Sequence, residues 1–227
     1  MEPVQARQSV AQRIVDIIRE SGLRAGDSMP TEQELIARLG VSRNTVREAI
    51  RELRAWGIVQ VRHGHGTTVA SPSLQALAPS LVFRALVSGS QGLHALQNLA
   101  EVREILEVSA IASLAKEPGL LDTEELLALA ERIGDPATSM QADRAFHRTL
   151  YAQLPNPLIG QLVDVFWDAY HEANHQLSDV SAYGEESVAA HRAIVEAAAA
   201  GDVERAKAAM HAHFAGIYSR LATAGAA

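Results

Sequence analysis

The chain has 227 residues, 48% hydrophobic, 21% charged and 4% aromatic, which suffices for one large domain or two ordinary ones and excludes disordered, collagen-like and mucin-like classes. It contains no cysteine, which excludes disulfides, thiolate metal sites and thiol nucleophiles. Neither a bilayer-length apolar run nor a signal-peptide layout is present, so a cytoplasmic chain without a membrane partner is expected.

The net charge of −7 is uneven: residues 1–70 hold ten Arg, no Lys and eight acids, a balance of +2, and the remainder carries −9. Within residues 38–62 six Arg face only Glu48 and Glu52, so a basic module precedes an acidic one. Val10, Ile14, Ile17 and Ile18 recur at helical spacing before Gly22 and Gly26 and predict a helix over 7–21. Thr31 and Glu34 form a T-x-x-E capping box that opens a second helix, with Leu35, Ile36 and Leu39 inward and Gly40 at its end. After the turn Gly40-Val41-Ser42, Ser42 can cap a third helix that buries Val46, Ile50 and Leu53 and stops at Gly57. Two β-prone runs, 58–62 and 67–69, flank His63-Gly64-His65-Gly66 and predict a hairpin.

Arg43, Asn44, Thr45 and Arg47 begin the third helix away from its Val46 face, where a recognition helix presents its readers to a major groove. Arg can bond guanine bidentately, Asn can pair with adenine, and Thr offers a hydroxyl or a methyl. Arg38, Arg51 and Arg54 are assigned to phosphates or acids, with pairing to Glu48 and Glu52 preferred for the last two.

Ser71-Pro72-Ser73 marks a linker, giving domains over 1–70 and 79–222 joined by 71–78. Beyond it the pattern predicts six or seven helices, at 77–88, 93–117, 121–133, 139–153, 157–177, 181–200 and 202–222. Asp122, Pro136, Asn156-Pro157, Ser181 and Gly201-Asp202 sit at the breaks. An antiparallel helical bundle is expected, so the fold class is mainly α, and ligand sites in bundles lie between facing helices.

Helical phase sorts the histidines. Asp143 and His147 share one face at i, i+4 and can grip a single ion. His191 lies in phase with Val188, Val195 and Ala198, and His213 with Ala206, Met210 and Ile217. His211 falls on the opposite side, with Glu204, Lys207 and Tyr218. His171 and His175 align with Asp164 and Asp168. A lone histidine is more often a satisfied core or surface residue than a ligand, but three interior imidazoles and an aspartate on three helices are costly unless occupied.

The run GLRAGDSMPTEQELIARLGVSRNTVREAIRELRAWGIVQVRHGHGTTV resembles the winged helix-turn-helix of the GntR family of bacterial transcription regulators over residues 10–69. That resemblance implies DNA contacts from Arg43, Thr45 and Arg47, with His63 and Gly64 entering the minor groove from the wing tip. Asn44 is where members vary and would bear on operator choice. EVREILEVSAIASLA, DRAFHRTLYAQLPNPLIGQL and HRAIVEAAAAGDVERAKAAMHAHF resemble the FCD effector domain of the FadR branch over about 77–222. By that resemblance Asp143, His147, His191 and His213 are metal ligands, and Arg103 faces the pocket to bind an effector carboxylate. His171, Asn174 and His175 are further pocket candidates. The acyl-CoA sensor that names the branch lacks the full metal set, which favours a small carboxylate here.

The expected function is thus a homodimeric, DNA-binding transcription regulator, a repressor, reading a pseudo-palindromic double-stranded operator under control of a small organic acid. Its cofactor is a divalent metal, zinc first, with nickel or manganese as alternatives. A direct metal sensor and a metal-dependent hydrolase fused to a DNA reader are the competing readings. The hydrolase lacks an HExxH base, a nucleophile motif and a phosphate loop, so no enzyme is expected.

Overall fold

The computed structural model describes residues 8–62, 66–88, 92–177 and 185–225. The chain divides into two compact units, Met1–Ala76 and Leu77–Ala227, each with its own hydrophobic core. The division falls inside the 71–78 stretch, whose end is already coiled: a 3₁₀ turn, Gln75–Leu77, runs directly into the first helix of the second unit.

The N-terminal unit contains α1 (Val10–Glu20), α2 (Glu32–Leu39), α3 (Arg43–Ala55), β1 (Val59–Arg62) and β2 (Gly66–Val69). The predicted helix over 7–21 begins later because Ser9 stays extended and accepts the Gln12 N–H at 3.1 Å as an N-cap. The capping box closes both ways: Thr31 N–H donates to Glu34 Oε2 at 2.7 Å, and Glu34 N–H donates to Thr31 Oγ1 at 3.3 Å. Gly40 ends α2 at φ 65°, a left-handed conformation that side chains with a Cβ resist. That turn lets Ser42 cap α3, its Oγ accepting the Thr45 N–H at 3.2 Å.

Ile14, Leu35, Val46, Leu53 and Val59 meet in the buried centre, one or two from each of α1, α2, α3 and β1. The hairpin pairs antiparallel from Val59↔Val69 to Arg62↔Gly66. Its far edge is tied to the α1–α2 loop, where Gly26 and Met29 donate to the carbonyls of Val69 and Thr67, both at 2.9 Å.

Among the described residues the second unit forms α4 (Ala78–Leu86), α5 (Gly92–Leu114), α6 (Thr123–Arg132), α7 (Ser139–Tyr151), α8 (Pro157–Leu177), α9 (Glu185–Ala199) and α10 (Val203–Gly225). The long α5 packs against α8 and α10, α9 packs against α10 and α6, and α7 fits between α6 and α8. Alanines such as Ala100, Ala110, Ala169, Ala198 and Ala206 are buried in this core, and small side chains let helix axes approach closely. The expected start of the third bundle helix at 121 moves to Thr123, because a 3₁₀ turn at Pro118–Leu120 precedes it and Asp122 accepts the Glu125 N–H at 3.1 Å. Residues 181–184, including the expected break at Ser181, lie outside the described residues. Among the described residues no helix is long and apolar enough to cross a membrane.

Thr31→Ala removes one half of the capping box and is expected to lower the stability of the N-terminal unit by ~1 kcal/mol. Urea unfolding of the full chain in a Trp167→Phe background, followed by the fluorescence of Trp56, measures it. An unmoved midpoint would show that the box contributes nothing.

Candidate functional site

In the N-terminal unit the first turn of α3 is an exposed donor surface. Arg43, Asn44, Thr45 and Arg47 are all exposed, whereas Val46 and Ala49 beneath them are buried. The free N–H groups of that turn add positive potential to the same surface. Two of the four side chains are held in place: Thr45 Oγ1 lies 2.9 Å from Ser42 Oγ, and Arg47 Nε is 3.0 Å from Glu32 Oε2 on α2. The second contact was not expected. An exposed pair of this kind contributes only ~0–1 kcal/mol, so it orients Arg47 without preventing exchange for a phosphate or base. Arg51 is paired with Glu48 as anticipated. His63 and Gly64 lie outside the described residues, and the hairpin is described up to Arg62 and again from Gly66.

In the second unit five helices bring polar groups into one buried cluster. Asp143 and His147 come from α7, His191 from α9, His213 from α10, Arg103 and Glu107 from α5, and Trp167 with His171 from α8. The ligand nitrogens of His147, His191 and His213 lie within 4.8 Å of one another. Asp143 Oδ1 sits beside them, 2.9 Å from His191 Nε2 and 3.6 Å from His147 Nε2, while its Oδ2 accepts the indole N–H of Trp167 at 2.6 Å. The four residues that the sequence placed on inward faces are therefore brought together, with the three imidazoles as the mutually close set. His211, as its phase required, is exposed and paired with Glu104 at 2.7 Å.

The cluster is under-satisfied in hydrogen bonds. His147, His191 and His213 each have a buried Nε2 with no aligned hydrogen-bond partner. The close carboxylate oxygens lie out of line with the ring N–H directions and do not replace one. Unpartnered buried polar atoms are rare and point to an occupant. Three converging imidazole nitrogens with a carboxylate beside them form a donor set suited to a divalent transition metal.

Glu107 controls how those rings present themselves. It is fully buried, and its carboxylate accepts from Arg103 Nε and Tyr151 OH, both at 2.9 Å. Its Oε2 also lies 2.8 Å from His147 Nδ1, leaving the ring's other nitrogen toward the cluster. Burial opposes ionisation of Glu107, but Arg103 and His147 hold its carboxyl well below the usual range. Burial likewise opposes ionisation of Asp143, and His147 with His191 hold it low. Burial alone would keep His147 neutral, yet Glu107 and Asp143 push it up to about 9. His213 goes the other way: burial, with His191 and His147 beside it, drives it well below the ordinary imidazole value, so it offers a lone pair.

A narrow cleft opens onto the cluster and is lined by Arg103, Asp143, His171, His213 and Arg220, among others. Arg103 is 2% exposed, and its second guanidinium nitrogen, Nη2, is buried without a hydrogen-bond partner. His171 stacks on Trp167, ring centroids 3.8 Å apart. Burial, with Arg103, His147 and Arg220 nearby, pushes it down to about 3. Asn174 is buried one turn further along α8 and does not line this cleft, and His175 is exposed. Sequence reasoning missed Glu107 and Tyr151, although each lies four residues after a residue already singled out, Arg103 and His147.

Known proteins place this arrangement. Residues 6–69 match the gntR family of bacterial regulatory proteins, and residues 98–216 match the FCD domain. The chain belongs to the GntR family. A regulatory protein of Escherichia coli strain K12 named for the L-lactate dehydrogenase operon is 28% identical over 96% of this chain and 87% of its own length. The HTH-type transcriptional repressor NanR of Enterobacter sp. strain 638 is 27% identical over 90% of this chain and 80% of its own. A solved structure, Streptococcus agalactiae GntR, superposes with a TM-score of 0.63 at 27% identity, covering 92% of this chain and 97% of that one. The chain is thus a DNA-binding transcription regulator with an FCD domain, and the hydrolase reading falls with that assignment.

Because Glu107 accepts from two buried donors, Arg103 and Tyr151, with His147 Nδ1 beside it, Glu107→Ala should leave the Arg103 charge buried without its partner. A loss of ~3–5 kcal/mol from the helical unit is expected. Trp167 fluorescence during urea unfolding reports it, and a loss below ~1 kcal/mol would contradict the role assigned to Glu107.

Proposed function

We propose that this GntR regulator is a repressor that binds its operator as a homodimer and responds to a small carboxylate at a metal-containing site in the FCD domain. The observation that carries the effector half of this reading is the set of three buried imidazoles, converging within 4.8 Å from three helices with unpartnered nitrogens. Asp143, His147, His191 and His213 would hold a divalent ion, with zinc the first candidate and nickel or manganese next. The ion would supply a positive anchor for a carboxylate oxygen. Arg103 would orient that carboxylate, because its Nε is taken by Glu107 and its unpartnered Nη2 belongs to a side chain lining the cleft. The name of the lactate-operon relative supports a small organic acid as effector, and the name of the NanR relative supports repression.

Asn174 keeps only a supporting place in this reading, behind the wall of the cleft. The DNA half rests on the exposed first turn of α3. Arg43, Asn44 and Arg47 would read base edges, Thr45 would fix the turn against the backbone, and His63 with Gly64 would serve the wing. A single winged head reads few bases, so two-fold protein symmetry and two half-sites are needed for specificity.

Two experiments test the halves separately. Arg43→Ala should cost ~1–3 kcal/mol of operator affinity and relax one base position in each half-site. Unchanged affinity and specificity would remove α3 from the interface. His213→Ala should abolish metal content and effector response together while operator binding by the N-terminal unit persists, and His211→Ala should change neither. Elemental analysis and an operator titration decide it, and a His213→Ala protein with full metal and full response would overturn the site.

A further inference from the structure

The effector cleft holds a cation that the reading above does not use. Arg220, one turn from the described end of the Ile217 stripe on α10, lines the inner cleft with Arg103 and His213. It also lines a second cleft, together with Glu186 and Gly216. Ser187, His213 and Arg220 belong to both walls, so the two spaces adjoin and Arg220 stands where they meet.

Its direction follows from the helix. Side chains on α10 lean toward the N-terminus, and a Cβ added at Gly216 would lie 3.5 Å from Arg220 Nη1. The guanidinium therefore folds back one turn, toward His213. Among the described residues Arg220 forms no ion pair, and the one acid on the outer cleft, Glu186, forms none with it. The other charged groups of the inner cleft have close neighbours: Arg103 pairs with Glu107 at 2.9 Å, and Asp143 Oδ1 lies 2.9 Å from His191 Nε2 and 3.6 Å from His147 Nε2. Among the described residues Arg220 is thus a cation of the cavity without an ion pair, and an arginine fork is shaped to take a carboxylate or phosphate on two donors.

We infer that the effector is a small dianion with an acidic group at each end, one bound beside Arg103 and the imidazole cluster and the other by Arg220. This rests on the carboxylate reading of the site and deepens it: Arg220 selects molecules with a second acid over those with one. A dicarboxylate and a phosphorylated hydroxy acid share that chemistry, and the length of the molecule is set by the distance from the inner cleft to the junction.

The test is calorimetric titration of the zinc-loaded full chain with acids paired to analogues that lack the second charge. Succinate is compared with succinamate, glutarate with glutaramate, and phosphoglycolate with glycolate. At least one dianion is expected to bind about tenfold tighter than its partner, the effect of one added charge-assisted contact. Which pair shows the preference distinguishes a carboxylate from a phosphate at the second end. In Arg220→Gln the ratio should fall to about one through loss of dianion affinity alone, with zinc content and monoacid affinity unchanged, and Arg220→Lys should restore part of it. Equal binding of the paired acids to the parent protein, a preference that survives Arg220→Gln, or an equal loss for both acids in that variant would each overturn the inference while leaving the carboxylate reading intact. Failure of every acid, charged once or twice, to bind the zinc-loaded protein would overturn both.

Discussion

The interior of the helical unit depends on how one buried carboxylate is satisfied. Glu107 is sealed from water at the centre of α5, and an ionised carboxylate there persists only if donors replace its hydration. Arg103 from its own helix and Tyr151 from α7 fill that role, and His147 of α7 stands 2.8 Å away through its Nδ1. Each donor is constrained in turn. Arg103 spends its Nε on Glu107 and keeps a buried Nη2 unpartnered, and His147 turns its Nδ1 toward Glu107 and its Nε2 toward His191 and His213. One acidic group therefore orients both a cationic anchor and a ring nitrogen, which is how outer partners tune a ligand site.

Much of this was legible from periodicity. The helical repeat separates His213 from His211, two residues apart on α10, and the structure buries the first and leaves the second on the surface with Glu104 and Tyr218. The capping signals at Thr31 and Ser42 located the starts of α2 and α3 to the residue, because a cap is a local hydrogen bond between neighbours in the chain. The α10 helix, by contrast, continues past the expected end at 222 to Gly225, since an alanine-rich tail carries no stop signal.

What periodicity hides is height along a helix and distance between helices. Asn174 has an inward phase and is buried, yet it sits a turn too far along α8 to line the cleft. The pairing of Arg47 with Glu32 joins residues on separate helices, and no spacing rule connects them. Tyr151 and Glu107 meet across 44 positions of sequence. Arg220 looks in the sequence like any surface arginine near a helix end, and only the fold shows it at the junction of two clefts, with no ion pair among the described residues.

The two units solve opposite electrostatic problems. The N-terminal unit leaves Arg43, Arg47, Arg51 and Arg54 exposed to water, where solvation is free, and holds the first turn of α3 with short local bonds at Thr31, Gly40 and Ser42. Its own stability therefore asks nothing of a ligand. The helical unit takes its charges and imidazoles out of water and must supply partners for each, and in the imidazole cluster it stops short. An occupant that completes those contacts lowers the free energy of the states that present them and no others. The incompleteness of the cluster is thus what would let a ligand act on it: a bundle whose polar groups were all mutually satisfied would gain little from any ligand, and its populations would not shift when one arrived.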